Sequence, residues 1–429
     1  MRIERIERAW GAEALRPAVG WKVWRVEDGA LLSVLYGDVW PVDEPGRACL
    51  HPVQNRSVAV SVAPRGIPNA EGSVGEMKRG FTRRRAVLVI ALLAFAALVV
   101  AAPLSAAQRT EFTVNPLVSD QPGVAPVLDP DLVNPWGLTS SATSPWWVSD
   151  NGTDKSTLYN GGGVKQGLVV SVAGGPTGTV FNPTAGFALP TGGKALFLFD
   201  SEDGIVRAWN GAQGTTAIVA ADRSNVGAIY KGLAIADTTN GPRLYAADFH
   251  NGRIDVFNSS FTLQQNSGFE VPSLPAGFAP FNVQVLGGRV FVAYAKQDQD
   301  AEDEVAGQGR GRVDVYDLAG NLLGGITGHG QLNAPWGLAI APASFGAFAG
   351  DLLVGNFGDG QINAFREVSP GQFVHDGELR GSDNRSLTID GLWALQVSQG
   401  GNNGTAGQLF FTAGPDDETH GLFGTIAPN

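Results

Sequence analysis

The sequence predicts an all-β fold built from tandem repeats, and three observations support this. First, 58 glycines and 25 prolines make up about 19% of the 429 residues, against about 12% in average proteins. Only 17% of the residues are charged, and this composition fits short strands joined by tight turns rather than a coiled coil. Second, Asn134–Leu138 (NPWGL) is echoed 200 residues later by Ala334–Leu338 (APWGL). Third, apolar runs recur about every fifty residues.

Each repeat begins with an apolar run that is interpreted as a first strand. These runs are Asn134–Leu138, Thr184–Leu189, Lys231–Ile235, Phe281–Val285, Ala334–Leu338 and Asp390–Leu395. A second apolar run and a glycine turn follow, and then a run that alternates apolar and polar residues, as a half-buried strand does. The dipeptides Asp203-Gly204, Asn251-Gly252 and Asp359-Gly360 are typical of hairpin turns.

Short antiparallel strands repeated six times predict a six-bladed β-propeller with almost no helix. A pair of β-sandwiches would not explain a fixed period. The last repeat stops at Asn429 without a fourth strand. We therefore expect the N-terminal segment Glu111–Val118 to supply the outer strand of the last blade and close the ring.

The repeat pattern resembles that of NHL-type propellers. It runs from Pro-Trp-Gly-Leu at 135–138 to Asn-Gly-Arg-Ile-Asp-Val-Phe at 251–257. More narrowly, residues 110–429 resemble a family of uncharacterised exported bacterial propellers, through Asn115–Asp120 (NPLVSD) and Asn134–Leu138. The resemblance implies the fold and export, and it implies no particular chemistry.

Three segments are predicted along the chain. Residues 86–102 are uncharged and apolar, follow a cluster of basic residues and precede Ser105-Ala106-Ala107, so residues 77–107 are interpreted as a signal peptide. An uncleaved membrane anchor remains the alternative. Residues 1–76 lack the repeat pattern and are interpreted as upstream sequence or a disordered segment, and residues 108–429 as the propeller.

The composition of residues 108–429 limits the partners and the chemistry. They contain 31 acidic and 16 basic side chains, a balance that disfavours nucleic acid and anionic membranes. The only cysteine, Cys49, precedes them, so no disulfide framework or thiol nucleophile is available there. We expect a monomer that is secreted or extracytoplasmic, and that touches a membrane only through residues 86–102 if these are not cleaved.

In a propeller, the loops that enter the first strands lie on the same face as those that leave the second strands. At these positions the sequence is polar, and it predicts a ring of side chains around one channel mouth. The ring comprises Asn134, Asp150, Asp200, Lys231, Asp248, His250, Asn282, Asn333, Asn356, Asp390 and Asp416. Such oxygen ligands suit a small polar ligand, or Ca²⁺ or Mg²⁺ as a cofactor. The alternative is that these side chains bond the local backbone in turns.

Two further features bear on function. The acidic insertion at 297–309 starts like a calcium loop, but Asp303 and Gly309 stand where such a loop needs Gly and Glu, so a solvated rim loop is expected. Gly-x-Ser-x-Gly and His-Glu-x-x-His motifs are absent, and no catalytic residue is assigned. The sequence therefore favours a binding or scaffold module for a small polar ligand or a cell-envelope partner. The alternative is a divalent-metal-assisted hydrolase or lactonase that uses the channel-mouth ring.

Overall fold

The computed structural model describes residues 22–25, 31–35, 110–271, 273–326 and 329–429. The chain divides into two compact units, Met1–Ala96 and Ala97–Asn429. In the first unit, strands β1 (Lys22–Arg25) and β2 (Leu31–Leu35) pair in antiparallel fashion. The predicted signal segment 77–107, with its apolar stretch 86–102, and most of residues 1–76 lie outside the described residues.

The second unit is all-β in its described part, with no α-helix there. It begins with β3 (Phe112–Ser119) and β4 (Val127–Leu128). A four-stranded sheet follows, made of β5 (Pro135–Thr139), β6 (Trp146–Asp150), β7 (Lys155–Tyr159) and β8 (Val170–Ser171). The next four-stranded sheet contains β9 (Pro176–Phe181), β10 (Phe197–Ser201), β11 (Ile205–Trp209) and β12 (Ile218–Asp222).

The later sheets differ in size. A three-stranded sheet contains β13 (Tyr230–Thr238), β14 (Gly241–Asp248) and β15 (Arg253–Asn258). An eight-stranded sheet contains β16 (Phe278–Leu286), β17 (Arg289–Lys296), β18 (Gly311–Tyr316), β19 (Leu322–Ile326), β20 (Pro335–Ile340), β21 (Leu352–Asn356), β22 (Ile362–Ser369) and β23 (Gln372–Glu378). Its two halves, β16–β19 and β20–β23, join through one parallel pairing of β19 with β23. The final strands are β24 (Leu392–Val397), β25 (Leu409–Ala413) and β26 (Leu422–Pro428).

Short 3-10 helices lie in the loops. They span Asn151–Thr153, Gly211–Gln213, Ser224–Val226, His329–Gln331, Gly346–Phe348 and Gly401–Asn403. None of the helices that the structure describes is long and apolar enough to cross a membrane.

The first and last strands of the part of the second unit that the structure describes meet in one sheet. Strand β3 pairs with the last strand, β26, in antiparallel register, with Phe112 opposite Pro428 and Val118 opposite Phe423. Both Phe112 and Val118 are buried. The pairing expected for the segment 111–118 is therefore present, and it joins β3 to the last strand of the chain.

The first strands of successive antiparallel runs lie innermost and contact one another in cyclic order. That order is β5, β9, β13, β16, β20, β24 and back to β5. Sheets arranged in this way around a common centre form a β-propeller-like fold. The inner strands approach closely: a Cβ at Gly137 would clash with the backbone of Thr177, and one at Gly178 with the backbone of Leu233. This crowding explains the small residues in these strands.

One inner strand differs from its predicted position. The second inner strand is Pro176–Phe181, whereas the predicted run Thr184–Leu189 is a loop. Asn182 stabilises that loop, because its Oδ1 accepts hydrogen bonds from the backbone N–H and the hydroxyl of Thr184. The side chain of Asn182 thus ends the strand before the run that was predicted to form it.

Aromatic rings fill the centre of the ring of strands. Trp136 stacks on Trp393 with ring centroids 3.5 Å apart, and Trp336 and Phe281 cross Trp136 edge-on at 6.1 and 6.2 Å. All four side chains are buried. We call these four residues the central aromatic group, and they form the floor of the site described next.

Candidate functional site

Three of the predicted acidic residues lie buried within the sheets. Asp150, Asp200 and Asp248 are fully buried. Asp150 accepts a hydrogen bond from the Thr157 backbone N–H, and Asp200 accepts one from Gly178. Burial raises the pKa of Asp150 well above its ordinary range, that of Asp200 to about 7, and that of Asp248 as well. These carboxyl groups join neighbouring strands within the core.

The predicted amide residues also bond their surroundings. Asn282 donates to the Trp336 carbonyl at 2.7 Å, and its Oδ1 accepts from the Val283 backbone. Asn333 accepts from the Gly307 N–H at 2.5 Å, and Asn356 donates to the Gln331 carbonyl at 2.8 Å. All three are buried. Three of these bonds reach residues at least 25 positions away, whereas the alternative stated from the sequence was bonding to the local backbone in turns.

Three other predicted residues lie near the surface. Asp390 and Asp416 are exposed, and the backbone N–H of Asp416 donates to the Asp390 carboxylate at 3.0 Å. Half-buried His250 has its Nδ1 3.2 Å from the Ala301 carbonyl oxygen, which belongs to the acidic insertion. None of these contacts joins the three residues to one another as a ring.

The remaining predicted residues, Asn134 and Lys231, come together at one end of the ring of inner strands. Lys231 is the second residue of β13 and Asn134 directly precedes β5. Asn134 Nδ2 donates to Glu418 Oε2 at 2.7 Å and to Asn151 Oδ1 at 3.3 Å. Asn151 in turn donates to Glu202 Oε2 at 2.9 Å. A chain of side-chain hydrogen bonds therefore runs from Glu418 to Glu202 across this end.

The ammonium group of Lys231 lies at the centre of this site. Its Nζ is 2.6 Å from Glu202 Oε1 and 3.0 Å from Asp303 Oδ1. It also lies 5.2 Å from the centroid of the Trp136 ring, within the range of a cation–π interaction. The side chain is only 2% exposed. Burial alone would lower the pKa of Lys231, but the charges of Glu202 and Asp303 outweigh it and leave this pKa raised.

Two further carboxyl groups, those of Glu304 and Glu418, lie close enough to Lys231 for its positive charge to lower their pKa values. Burial raises the pKa of the Glu304 carboxyl to about 8, although the Lys231 ammonium opposes the rise. Burial also raises the pKa of Glu418, while the hydrogen bond from Asn134 opposes it. We call Glu202, Lys231, Asp303, Glu304 and Glu418 the Lys231 cluster. At neutral pH Glu304 holds its proton for most of the time.

Three loops bring these side chains together. Glu202 lies in the β10–β11 hairpin, which turns at Gly204 with a φ of +74°. The β17–β18 insertion supplies Asp303 and Glu304, and Gln297 anchors it through a 2.6 Å hydrogen bond to the Phe249 carbonyl. The insertion was expected to be a solvated rim loop; the Asp303 side chain in it is 72% exposed, and one of its oxygens reaches the buried Lys231 ammonium.

The β25–β26 loop carries Glu418 in an unusual conformation. Asp416, Asp417 and Glu418 all have left-handed backbone dihedrals, with φ of +55°, +50° and +64°. Each non-glycine residue in this region costs about 1 kcal/mol, so contacts elsewhere must hold the loop. The bond from Asn134 to Glu418 is one of these contacts.

Four members of the Lys231 cluster were missed in the sequence: Glu202, Asp303, Glu304 and Glu418. Glu202 could have been found from its position, because it follows the strand-end residue Asp200 by two residues. It therefore lies beyond the end of β10, where the chain has left the buried sheet. The signal for Asp303 and Glu304 is the length of the insertion. Glu418 has no comparable signal, because its position depends on the left-handed loop.

Clustered carboxyl groups can also hold a metal ion. Among the described residues, no group of three or more His, Cys, Asp and Glu side chains is arranged to hold a metal ion. The carboxylates of the cluster instead surround an ammonium group, and two of them bond it directly. The carboxylates thus stabilise a buried ammonium group, that of Lys231.

Comparison with known sequences identifies relatives in a virus. An uncharacterised protein of Acanthamoeba polyphaga mimivirus is 32% identical over 334 residues, which cover 74% of this chain and 80% of the relative. A second uncharacterised mimivirus protein is 32% identical over 335 residues, covering 73% of this chain and 85% of the relative. The chain belongs to the same family as these proteins. These family members are viral, whereas the sequence resemblance pointed to bacterial proteins, and no protein-family model matches the chain.

Solved structures with partial similarity were also found. Virginiamycin B lyase from Staphylococcus aureus matches 74% of this chain and 99% of its own, with 11% identity and a TM-score of 0.42. A protein of unknown function from Bacteroides thetaiotaomicron matches 74% of this chain and 76% of its own, with 11% identity and a TM-score of 0.47. A putative gluconolactonase matches 54% of this chain and 74% of its own, with 14% identity and a TM-score of 0.36.

Proposed function

We propose that residues 108–429 form a six-bladed β-propeller with NHL-like repeats that acts as a binding module. The cyclic contacts of the inner strands support this. In this view β16–β19 and β20–β23 are two blades that share one sheet through the parallel β19–β23 pairing. The last blade consists of β24, β25, β26 and β3.

The ligand we propose is a small polar molecule that carries a positively charged group, bound at the Lys231 cluster. The observation that carries this proposal is the excess of carboxylate groups: Glu202, Asp303 and Glu418 share the field of a single ammonium group, while Glu304 beside them is mostly protonated. An added cation would be attracted by this excess charge.

Calorimetry with a matched pair of probes tests this proposal. Putrescine carries two ammonium groups, and 1,4-butanediol carries hydroxyl groups at the same spacing. We expect binding heat with putrescine and none with butanediol at the same concentration. The variant Glu418→Gln should weaken putrescine binding about tenfold, since a charge-assisted contact is worth about 1.5 kcal/mol or more.

Glu302→Gln provides the matched control, because Glu302 is an exposed residue of the same insertion outside the Lys231 cluster. It should leave putrescine binding within twofold of the unmodified protein. Equal heats for putrescine and butanediol, or equal effects of the two variants, would contradict the proposed charge selectivity.

The alternative is a divalent-metal-assisted hydrolase or lactonase. Its proposed ligands, among them Asp150, Asp200 and Asp248, are buried and bond the local chain. No feature of the described residues favours this reaction over simple binding. Titration with CaCl₂ and MgCl₂ tests it: heat and a raised melting temperature would support the metal site.

We further propose that the protein is exported as a monomer, and that its partner is a small ligand or a cell-envelope component rather than nucleic acid. The sequence pattern of residues 77–107 and the acidic balance of residues 108–429 support this. Mass spectrometry of the secreted protein should find a mature N-terminus at Gln108. A peptide from residues 1–76 in the mature protein would contradict cleavage.

A further inference from the structure

A cavity lies at the end of the inner strands opposite the Lys231 cluster. The Lys231 cluster is at the start of these strands, near Asn134 and Lys231. The cavity is lined by their later residues, including Thr139 of β5, Gln284 of β16 and Gln396 of β24. Trp336 of the central aromatic group also lines it. The cavity has a volume of about 450 Å³, within the range of about 300–1,000 Å³ that is typical of small-molecule sites.

The lining of this cavity is uncharged, although the protein around it is strongly acidic. Of the described residues that line it, none is Asp, Glu, Lys, Arg or His. A charged ligand that entered would lose hydration without gaining a counter-ion, which is costly. The lining therefore selects against both anions and cations, in contrast to the Lys231 cluster.

Two half-buried amide groups have no protein partner here. Within the described part of the chain, no residue hydrogen-bonds to the side chain of Gln284 or Gln396, although both line the cavity. By contrast, half-buried Gln264 donates to the Thr262 carbonyl at 2.8 Å. A side-chain amide offers two N–H donors and a carbonyl acceptor. Gln284 and Gln396 thus present both donors and acceptors to whatever occupies the cavity.

We propose that this cavity binds an uncharged, hydroxyl-rich small molecule of sugar-like chemistry. A hydroxyl group both donates and accepts hydrogen bonds, so it pairs with either end of an amide. Trp336 and the aliphatic residues of the lining, such as Leu138 and Val285, supply apolar contact for the carbon skeleton of such a ligand. The site is independent of the Lys231 cluster, because different residues form it and it favours a different charge.

Calorimetry with D-glucose, with D-glucuronate as its charged analogue, tests this inference. We expect glucose to bind and glucuronate to bind at least tenfold more weakly. The variants Gln284→Ala and Gln396→Ala should each weaken glucose binding about fivefold, because each removes a hydrogen bond worth about 1 kcal/mol. Gln264→Ala is the matched control and should leave glucose binding unchanged.

The shorter amides in Gln284→Asn and Gln396→Asn provide a second pair of variants in case the alanine variants fold poorly. Each keeps an amide group but holds it one methylene closer to the backbone, which should weaken glucose binding. The melting temperature should stay within a few degrees of that of the unmodified protein. No heat with either D-glucose or maltose would overturn the proposal. The proposal would also be overturned if glucuronate bound as tightly as glucose, or if Gln264→Ala weakened glucose binding as much as Gln284→Ala and Gln396→Ala do.

Discussion

Trp136 and Trp336 cross edge to face at the centre of the molecule, with ring centroids 6.1 Å apart and an interplanar angle of 89°. They occupy the same position in the two Pro-Trp-Gly-Leu segments, 200 residues apart in the chain. Repeated inner strands that converge on a common centre bring equivalent residues together. The most regular feature of the sequence therefore forms the floor of the Lys231 cluster.

Trp393 joins this pair and should be important for stability. Its ring stacks on Trp136, and its Nε1 donates to Asn134 Oδ1 at 2.9 Å. Trp393→Ala would leave a large cavity and should lower the free energy of unfolding by about 3–5 kcal/mol. Trp393→Phe keeps a ring but loses the hydrogen bond and should cost about half as much. Urea denaturation measures both, and a cost below about 1 kcal/mol for Trp393→Ala would contradict the central role of this ring.

The inner strands were largely predictable because they carry a distinctive local pattern. The Trp-Gly-Leu segments at 136 and 336 are the inner strands β5 and β20. The second inner strand, Pro176–Phe181, was missed because it lies about eight residues before Thr184–Leu189, the apolar run at the position that the fifty-residue period predicts. Packing requires the glycine of this strand, Gly178, because a Cβ there would clash with the backbone of Leu233.

The site was less predictable than the fold because it depends on loop conformations. Polar residues at strand ends, such as Asp200, are easy to recognise, yet hydrogen bonds to neighbouring strands bury them. Glu418 reaches Asn134 only through a left-handed loop between β25 and β26. Since no local pattern specifies that loop, tertiary contacts decide which acidic residues join Lys231.

Lys231 should contribute to stability through its buried ammonium group. Lys231→Met keeps the length of the side chain but leaves Glu202 and Asp303 without their cation. We expect a loss of about 2–3 kcal/mol in the free energy of unfolding, less than for a fully buried pair because both carboxylates reach solvent. Lys155→Met is the control: the Lys155 side chain is 37% exposed, against 2% for Lys231, and its loss should cost less than about 1 kcal/mol. Equal costs measured by urea denaturation would contradict the importance of burial at Lys231.

The joining of the two chain ends can be tested with two valines of β3. Val118 is fully buried opposite Phe423, whereas Val114 is half-buried opposite Ile426. Val118→Ala should lower the free energy of unfolding by about 2 kcal/mol, and Val114→Ala by less than about 1 kcal/mol. Thermal unfolding of the two variants compares them directly. If Val114→Ala cost as much as Val118→Ala, the inward orientation of Val118 in the closing sheet would be wrong.

Glu304 should make stability fall as the pH rises. Burial raises its pKa from an ordinary 4.5 to about 8. Between these values the folded protein holds a proton that the unfolded chain has already lost, so the free energy of unfolding decreases with increasing pH. This stabilisation is complete below about pH 4.5 and is lost once the pH exceeds about 8.

The variant Glu304→Gln removes this titration and should flatten the pH dependence of stability. One pKa unit corresponds to about 1.4 kcal/mol, and solvent screening of the half-buried Glu304 side chain reduces the total, so we expect a gain of about 2 kcal/mol at high pH. Urea denaturation at pH 5.5 and pH 8.5 should show a larger gain at pH 8.5. Glu302→Gln, in an exposed part of the same insertion, should change stability equally at both pH values. A gain from Glu304→Gln that did not depend on pH would show that the Glu304 carboxyl is not buried beside Lys231.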